Sequence, residues 1–167
     1  MEFEGMMKSR RSFLGLSALG VLGGLGVLGA VTAGLPFAVQ AAADKTRDLK
    51  VYKTPWCGCC VAWIDHMRAA GFTVTVEERD DLEPLKAYYG VTADLGSCHT
   101  GLIDGYVIEG HVPAAEVVRL LEERPEARGL AVPGMPIGSP GMEQGARKDP
   151  YEVILFSDEA RTVFARY

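Results

Sequence analysis

The sequence has no excess of positive charge: 17 lysines and arginines stand against 22 acidic residues, for a formal net charge of −5. That deficit excludes a strongly basic nucleic-acid binder, whose affinity rests on neutralising phosphates. Cysteine is scarce too, four in 167 residues, which is too few for a small domain stapled by disulfides. With 48% apolar and 23% charged residues, the chain lacks both the polarity of a disordered tail and the apolar load of a multispan membrane protein. What remains is the composition of one ordinary soluble domain with an unusual distribution of sulfur. Cys57, Cys59 and Cys60 fall within four residues and Cys98 lies far downstream, a spacing that suits a site better than a framework.

The first forty-odd residues read as an export signal and are set aside from the fold. Lys8, Arg10 and Arg11 form a positive start, Phe13 to Leu35 carries no charge, and Ala38, Ala41, Ala42 and Ala43 offer small residues for cleavage. Ser9-Arg10-Arg11-Ser12-Phe13-Leu14 resembles the twin-arginine signal, which a receptor reads and which implies delivery of a folded protein to the periplasm. Left uncleaved, the uncharged run is long enough to anchor the chain in a membrane. The expected organisation is therefore an export segment over 1–43 and one domain over 44–167, the latter more acidic than the whole because the leader carries a net positive charge.

Periodicity predicts the elements of that domain. Leu49–Tyr52 alternates as a strand. Gly58–Ala70 reads as a helix, with Val61, Ile64 and Met67 or Arg68 at helical spacing and Gly71 as its stop. Phe72–Val76 alternates again, Glu83–Tyr89 is a short helix closed by Gly90, and a loop carries Ser97-Cys98-His99. Leu102-Ile103 and Tyr106–Ile108, joined by Asp104-Gly105, predict a hairpin with a type I′ turn. Pro113–Glu123 is a helix with proline at its start, Gly129–Gly145 reads as irregular, and Tyr151–Phe156 as a strand. Strand, helix, strand, helix, hairpin, helix, with a cysteine motif where the first strand meets the first helix, resembles the thioredoxin fold: an α/β architecture with a central mixed sheet and flanking helices.

Cys57-Gly58-Cys59-Cys60 opens the first helix, where backbone N–H groups and the helix dipole favour thiolates. Cys57 and Cys60 have the spacing of a redox dithiol, so a thiol-disulfide oxidoreductase with Cys57 as nucleophile and Cys60 as resolving thiol is one reading. Cys59 exceeds what one disulfide needs, and with Cys98 approaching the same face soft-metal ligation is the other. A structural zinc site is a third, although such sites use paired knuckles rather than a trio and a singleton. Met135 and Met142 flank a Gly/Pro-rich loop with little core to fill, and thioether beside thiolate favours Cu(I). Among the histidines, His99 next to Cys98 ranks first as a further ligand, His66 two helical turns beyond Cys60 second, and His111 third.

Several separate motifs then carry a family resemblance. Lys53-Thr54-Pro55-Trp56-Cys57-Gly58-Cys59-Cys60, Trp63, His66-Met67, Ser97-Cys98-His99-Thr100, Asp104-Gly105-Tyr106, Glu109-Gly110-His111-Val112-Pro113, Gly129 to Pro136 and Gly138-Ser139-Pro140-Gly141-Met142-Glu143 together resemble the CopG-type periplasmic copper-resistance proteins. The resemblance covers nearly all of the domain. It implies a thioredoxin-like domain in copper tolerance, with Cys57, Cys59, Cys60 and Cys98 as thiolate ligands in a bridged cluster of several copper ions. Met135, Met142 and His66 or His99 would be neighbouring ligands or supports. Cycling between Cu(I) and Cu(II) would be possible chemistry, and a periplasmic copper-efflux or copper-carrier protein an expected partner; nothing points to nucleic acid.

Overall fold

The computed structural model describes residues 47–167; the expected export segment and its cleavage positions lie outside the described residues. The domain is built on a seven-stranded mixed sheet in the order β2-β1-β3-β4-β5-β6-β7. Its elements are β1 (Asp48–Lys53), α1 (Gly58–Ala69), β2 (Thr73–Glu78), α2 (Glu83–Tyr88), β3 (His99–Ile103), β4 (Tyr106–Glu109), α3 (Ala114–Glu123), β5 (Gly129–Ala131), β6 (Glu152–Phe156) and β7 (Arg161–Arg166). Strand β1 pairs in parallel with β2 and antiparallel with β3, and β3 with β4 forms the expected hairpin. This is the thioredoxin-like α/β arrangement that the order of elements implied, extended at one side by β5, β6 and β7. No helix among the described residues is long and apolar enough to cross a membrane.

Local chemistry explains the elements that place the site. Asp104 and Gly105 both take positive φ, 48° and 86°, as a type I′ turn requires at its two central residues, and this pins the β3–β4 register at Thr100↔Glu109. Helix α1 buries Cys60, Trp63, Ile64 and Met67, an i, i+3, i+4, i+7 stripe. Ile64 and Met67 are buried as the spacing implied, whereas Val61 is solvent-exposed and the sulfur of Cys60 takes the inward place. Residues of α1 and α3 form the main core with Leu49, Val51, Ile103, Ile108 and Leu130 on one face of the sheet. Val91, Leu95, Val107, Ala131 and Phe156 close the opposite face.

Three differences from the sequence reading concern strands. His99 begins β3 rather than lying in a loop. The segment read as irregular contains β5, where a Cβ on Gly129 would fall 1.8 Å from the Val107 carbonyl oxygen, so only glycine admits β5 beside β4. Strand β7 runs antiparallel to β6 through a register shift at Val153/Ile154 and extends the sheet past the last strand read from the sequence.

Candidate metal centre

Four stretches of chain converge at one end of the β3–β4 hairpin. The first is the turn into α1. Cys57 occupies its N-cap position with extended backbone, and Cys57 and Cys60 are joined as a disulfide. Cys59 and Cys98 are free and half-buried. Cys59 Sγ lies 3.6 Å from Cys57 Sγ and 3.7 Å from Cys98 Sγ, and Cys60 Sγ lies 3.4 Å from Cys98 Sγ. The four sulfurs form one group with every pair within 4.8 Å, so the structure brings together all four cysteines that the sequence singled out.

The hairpin supplies the second and third stretches. Continuing the register outward from Thr100↔Glu109 sets His99 beside Gly110, whose N–H donates to the His99 carbonyl at 3.1 Å, and then Cys98 opposite His111. His111 Nε2 is 3.1 Å and His99 Nδ1 3.3 Å from Cys98 Sγ, and these three residues form a second group of donors within 4.8 Å. Cys98 belongs to both groups. Its sulfur is therefore common to the two candidate donor sets.

The fourth stretch is the loop over Ser139–Met142. Pro140 offers its carbonyl to His111 Nδ1 at 2.8 Å. The carbonyl can only accept, so Nδ1 carries the proton and Nε2 presents its lone pair to Cys98, the orientation that a backbone acceptor imposes on a metal-binding histidine. Gly141 lets the loop lie on the first turns of α1: a Cβ there would come within 2.7 Å of Trp63 N and 2.9 Å of the Cys59 carbonyl.

Burial sets the protonation states. His99 and His111 are fully buried, and desolvation holds both imidazoles below the ordinary histidine range, His99 furthest, with the charges of His111 and Lys86 adding to the effect. Both are therefore neutral, the form that ligates metal. The Cys98 thiol is pushed up to about 12, first by burial and then by Cys59, opposite to the effect of a helix N-terminus. Ligation there has to displace a proton, which a soft cation does by bonding the thiolate. His99 packs against the buried Trp63 with the rings tilted by 40° and their centroids 4.3 Å apart, and its Nε2 has no hydrogen-bond partner among the described residues.

The remaining residues that the sequence singled out sit differently. His66 Nε2 accepts the Ala114 N–H at 3.1 Å, which engages it at the start of α3 and outside both donor groups. Met142 is half-buried in the Gly138–Met142 turn, where its N–H donates to the Ser139 carbonyl at 2.8 Å. Met135 is half-exposed on the segment that precedes this turn. Sequence reasoning ranks His111 last of the three histidines, whereas the structure sets it against Cys98. The signal that finds it is the hairpin register, which places 98 opposite 111 once the Asp104-Gly105 turn is fixed.

Residues 95–142 match a family model described as "Protein of unknown function, DUF411", a span that holds Cys98, both buried histidines and the Pro140 loop but not the cysteines of α1. No curated protein matches the chain. Two solved structures, "Copper resistance protein copG- Form 2" and "Copper resistance protein copG- Form 1", are each 47% identical to it with a TM-score of 0.69. They cover 72% of this chain, and it covers 97% and 96% of theirs.

Proposed function

The chain belongs to the family of the copper resistance protein CopG, and on that premise we propose that it takes copper as cargo in a copper-resistance role. The ion is held as Cu(I) by the thiolates of Cys57, Cys59, Cys60 and Cys98, with His99 and His111 as nitrogen donors and with Met142, in the loop that carries Pro140, and Met135, on the segment before it, as supports. The observation that carries the reading is the position of Cys98 Sγ, within 3.1 to 3.7 Å of two other sulfurs and two imidazole nitrogens. A set rich in thiolate selects Cu(I) over harder ions, and the shared sulfur favours more than one ion per chain. The mixed sulfur and nitrogen surroundings also suit exchange between Cu(I) and Cu(II). The twin-arginine-like leader supports periplasmic work, where a copper-efflux or copper-carrier protein would receive the ion.

The Cys57–Cys60 bridge sets a condition. Two electrons and two protons convert it to two thiols; until then Cys59, Cys98, His99 and His111 are the donors left. The same bridge favours the second reading, a thiol-disulfide oxidoreductase in which the more accessible Cys57 exchanges with a partner disulfide and the buried Cys60 resolves the mixed intermediate.

The test is metal content beside a free-thiol count on the reduced domain, purified without oxygen and offered Cu(I) and Zn(II) in competition. More than one copper per chain, with thiols protected and zinc displaced, is the expected result, and Cys59→Ser lowers the copper number. No retained copper, with Cys57–Cys60 exchange unaffected by Cys59→Ser, would overturn the copper reading in favour of the oxidoreductase.

A further inference from the structure

Behind the hairpin, on the sheet face away from α1, lies a buried ion pair that copper ligation does not use. Lys86 of α2 and Glu109 at the end of β4 are almost wholly enclosed. Lys86 Nζ donates to Glu109 Oε1 and, at 3.1 Å, to Thr100 Oγ1, and Thr100 Oγ1 donates to Glu109 Oε2 at 2.7 Å. A buried pair of this kind is a weak source of stability, because desolvation offsets its attraction and apolar residues of similar volume often serve as well. Its remaining contact is the informative one: Ser97 N–H donates to Glu109 Oε1 at 2.7 Å. Ser97 precedes Cys98.

Three consecutive residues thus seat the segment that carries Cys98. Glu109 takes the Ser97 amide. Gly110, at φ +71°, leaves the space that Ser97 fills, since a Cβ there would stand 2.6 Å from Ser97 Cβ and from the Val132 carbonyl. His111 meets Cys98 Sγ. Of the groups around the Glu109 carboxylate, Lys86 and Thr100 sit on regular elements, whereas Ser97 lies in the loop before β3, where its hydroxyl donates to the Gly134 carbonyl and its amide has Glu109 as acceptor. We infer that Glu109 is a positioning residue for the copper site, anchoring the Ser97 amide so that Cys98 Sγ stays between the α1 sulfurs and the two imidazoles, with Lys86 and Thr100 fixing the carboxylate. The inference rests on the copper reading above, and it assigns to a residue outside the donor set the placement of the one sulfur that both donor groups share.

The test separates the ion pair from the anchor. K86M/E109Q removes both charges but keeps an amide oxygen for Ser97 N–H; K86M/E109L removes both charges and the acceptor. Each is loaded with Cu(I), and copper loss to a competing Cu(I) chelator is followed together with the thiolate-to-copper charge-transfer absorption. K86M/E109L is expected to lose copper about tenfold faster than K86M/E109Q, the scale typical of groups that orient a ligand, with an altered charge-transfer band. K86M/E109Q, which keeps the acceptor but loses the lysine that fixes it, falls between K86M/E109L and the wild type. Equal loss from the two pairs, slow or fast, would overturn the inference. Glu109→Asp keeps the charge for Lys86 while drawing the carboxylate back from Ser97, and decides the matter if K86M/E109L does not fold: unchanged copper retention in a folded Glu109→Asp protein is equally fatal. Failure of the copper reading is distinguished by the wild type retaining no copper. In that event alkylation of Cys98 in the reduced metal-free chains reports the anchor directly, several-fold faster in Glu109→Asp than in the wild type if the anchor exists and unchanged if it does not.

Discussion

His66 and His111 have one nitrogen each in a contact that decides its use. His66 Nε2 accepts the first amide of α3, one of the donors that a helix start leaves without an intrahelical partner. His111 spends its Nδ1 proton on Pro140 and turns Nε2 to Cys98. His66→Ala should therefore cost about 1 kcal/mol of stability through the lost cap and leave copper per chain unchanged. His111→Ala should lower copper retention about tenfold. Denaturation midpoints and metal content of both variants check the pair; copper lost with His66 and kept without His111 would reverse the assignment. The four cysteines are legible in the sequence because three sulfurs crowded at a strand-to-helix junction are seldom mere packing. His111 is less so, since a lone histidine thirteen positions from its cysteine shows no link until strand pairing is known. Glu109 is not legible at all: a carboxylate two residues from a histidine at a strand end looks solvent-facing until α2 brings Lys86 over it.

At the scale of elements, the loop over Ser139–Met142 is held by close approach as well as by its hydrogen bonds. Gly141 takes φ +85° directly over the first turns of α1, a conformation that other residues adopt at a cost. Gly141→Ala adds the clash with Trp63 N and the Cys59 carbonyl to that cost, for a loss of about 1–3 kcal/mol, and it should withdraw Pro140 from His111 and so weaken copper retention as well. Thermal melting and copper loss measured on the same preparation test this; a variant that melts lower but keeps its copper would confine the loop to a structural role. The helices and the first four strands are readable because their periodicity is undisturbed. Strand β5 has three residues, too few to show a period of two, and it exists because Gly129 admits the Val107 carbonyl. Strand β7 is mostly exposed and has charged residues at both ends, so no buried stripe marks it. In the α1 stripe Val61 alone is misread, because Cys60 reads as chemistry and not as core, and it is both.

For the whole molecule, burial depresses all three imidazoles of the chain, His66, His99 and His111. Unfolding returns them to the ordinary value of about 6.5. Below that pH the unfolded chain binds protons that the folded one refuses, so stability should be fullest above it and fall as pH drops through it. The slope approaches about 1.4 kcal/mol per pH unit for each of the fully buried His99 and His111. Glu109, whose carboxyl burial pushes upward, opposes the trend as pH falls through its raised value. Urea midpoints of the metal-free domain between pH 7.5 and 5.5 should decline, and a flat profile would contradict neutral buried histidines. The two-residue turn at Asp104-Gly105 has a last consequence, in the lengths this chain tolerates. Surface turns ordinarily absorb insertions, but one extra residue here would slip β4 against β3 by a position and turn its side chains to the opposite face. Cys98 would then face Gly110 instead of His111. A tip that touches no ligand, roughly 20 Å from the sulfurs along the strand, is thus constrained by counting alone.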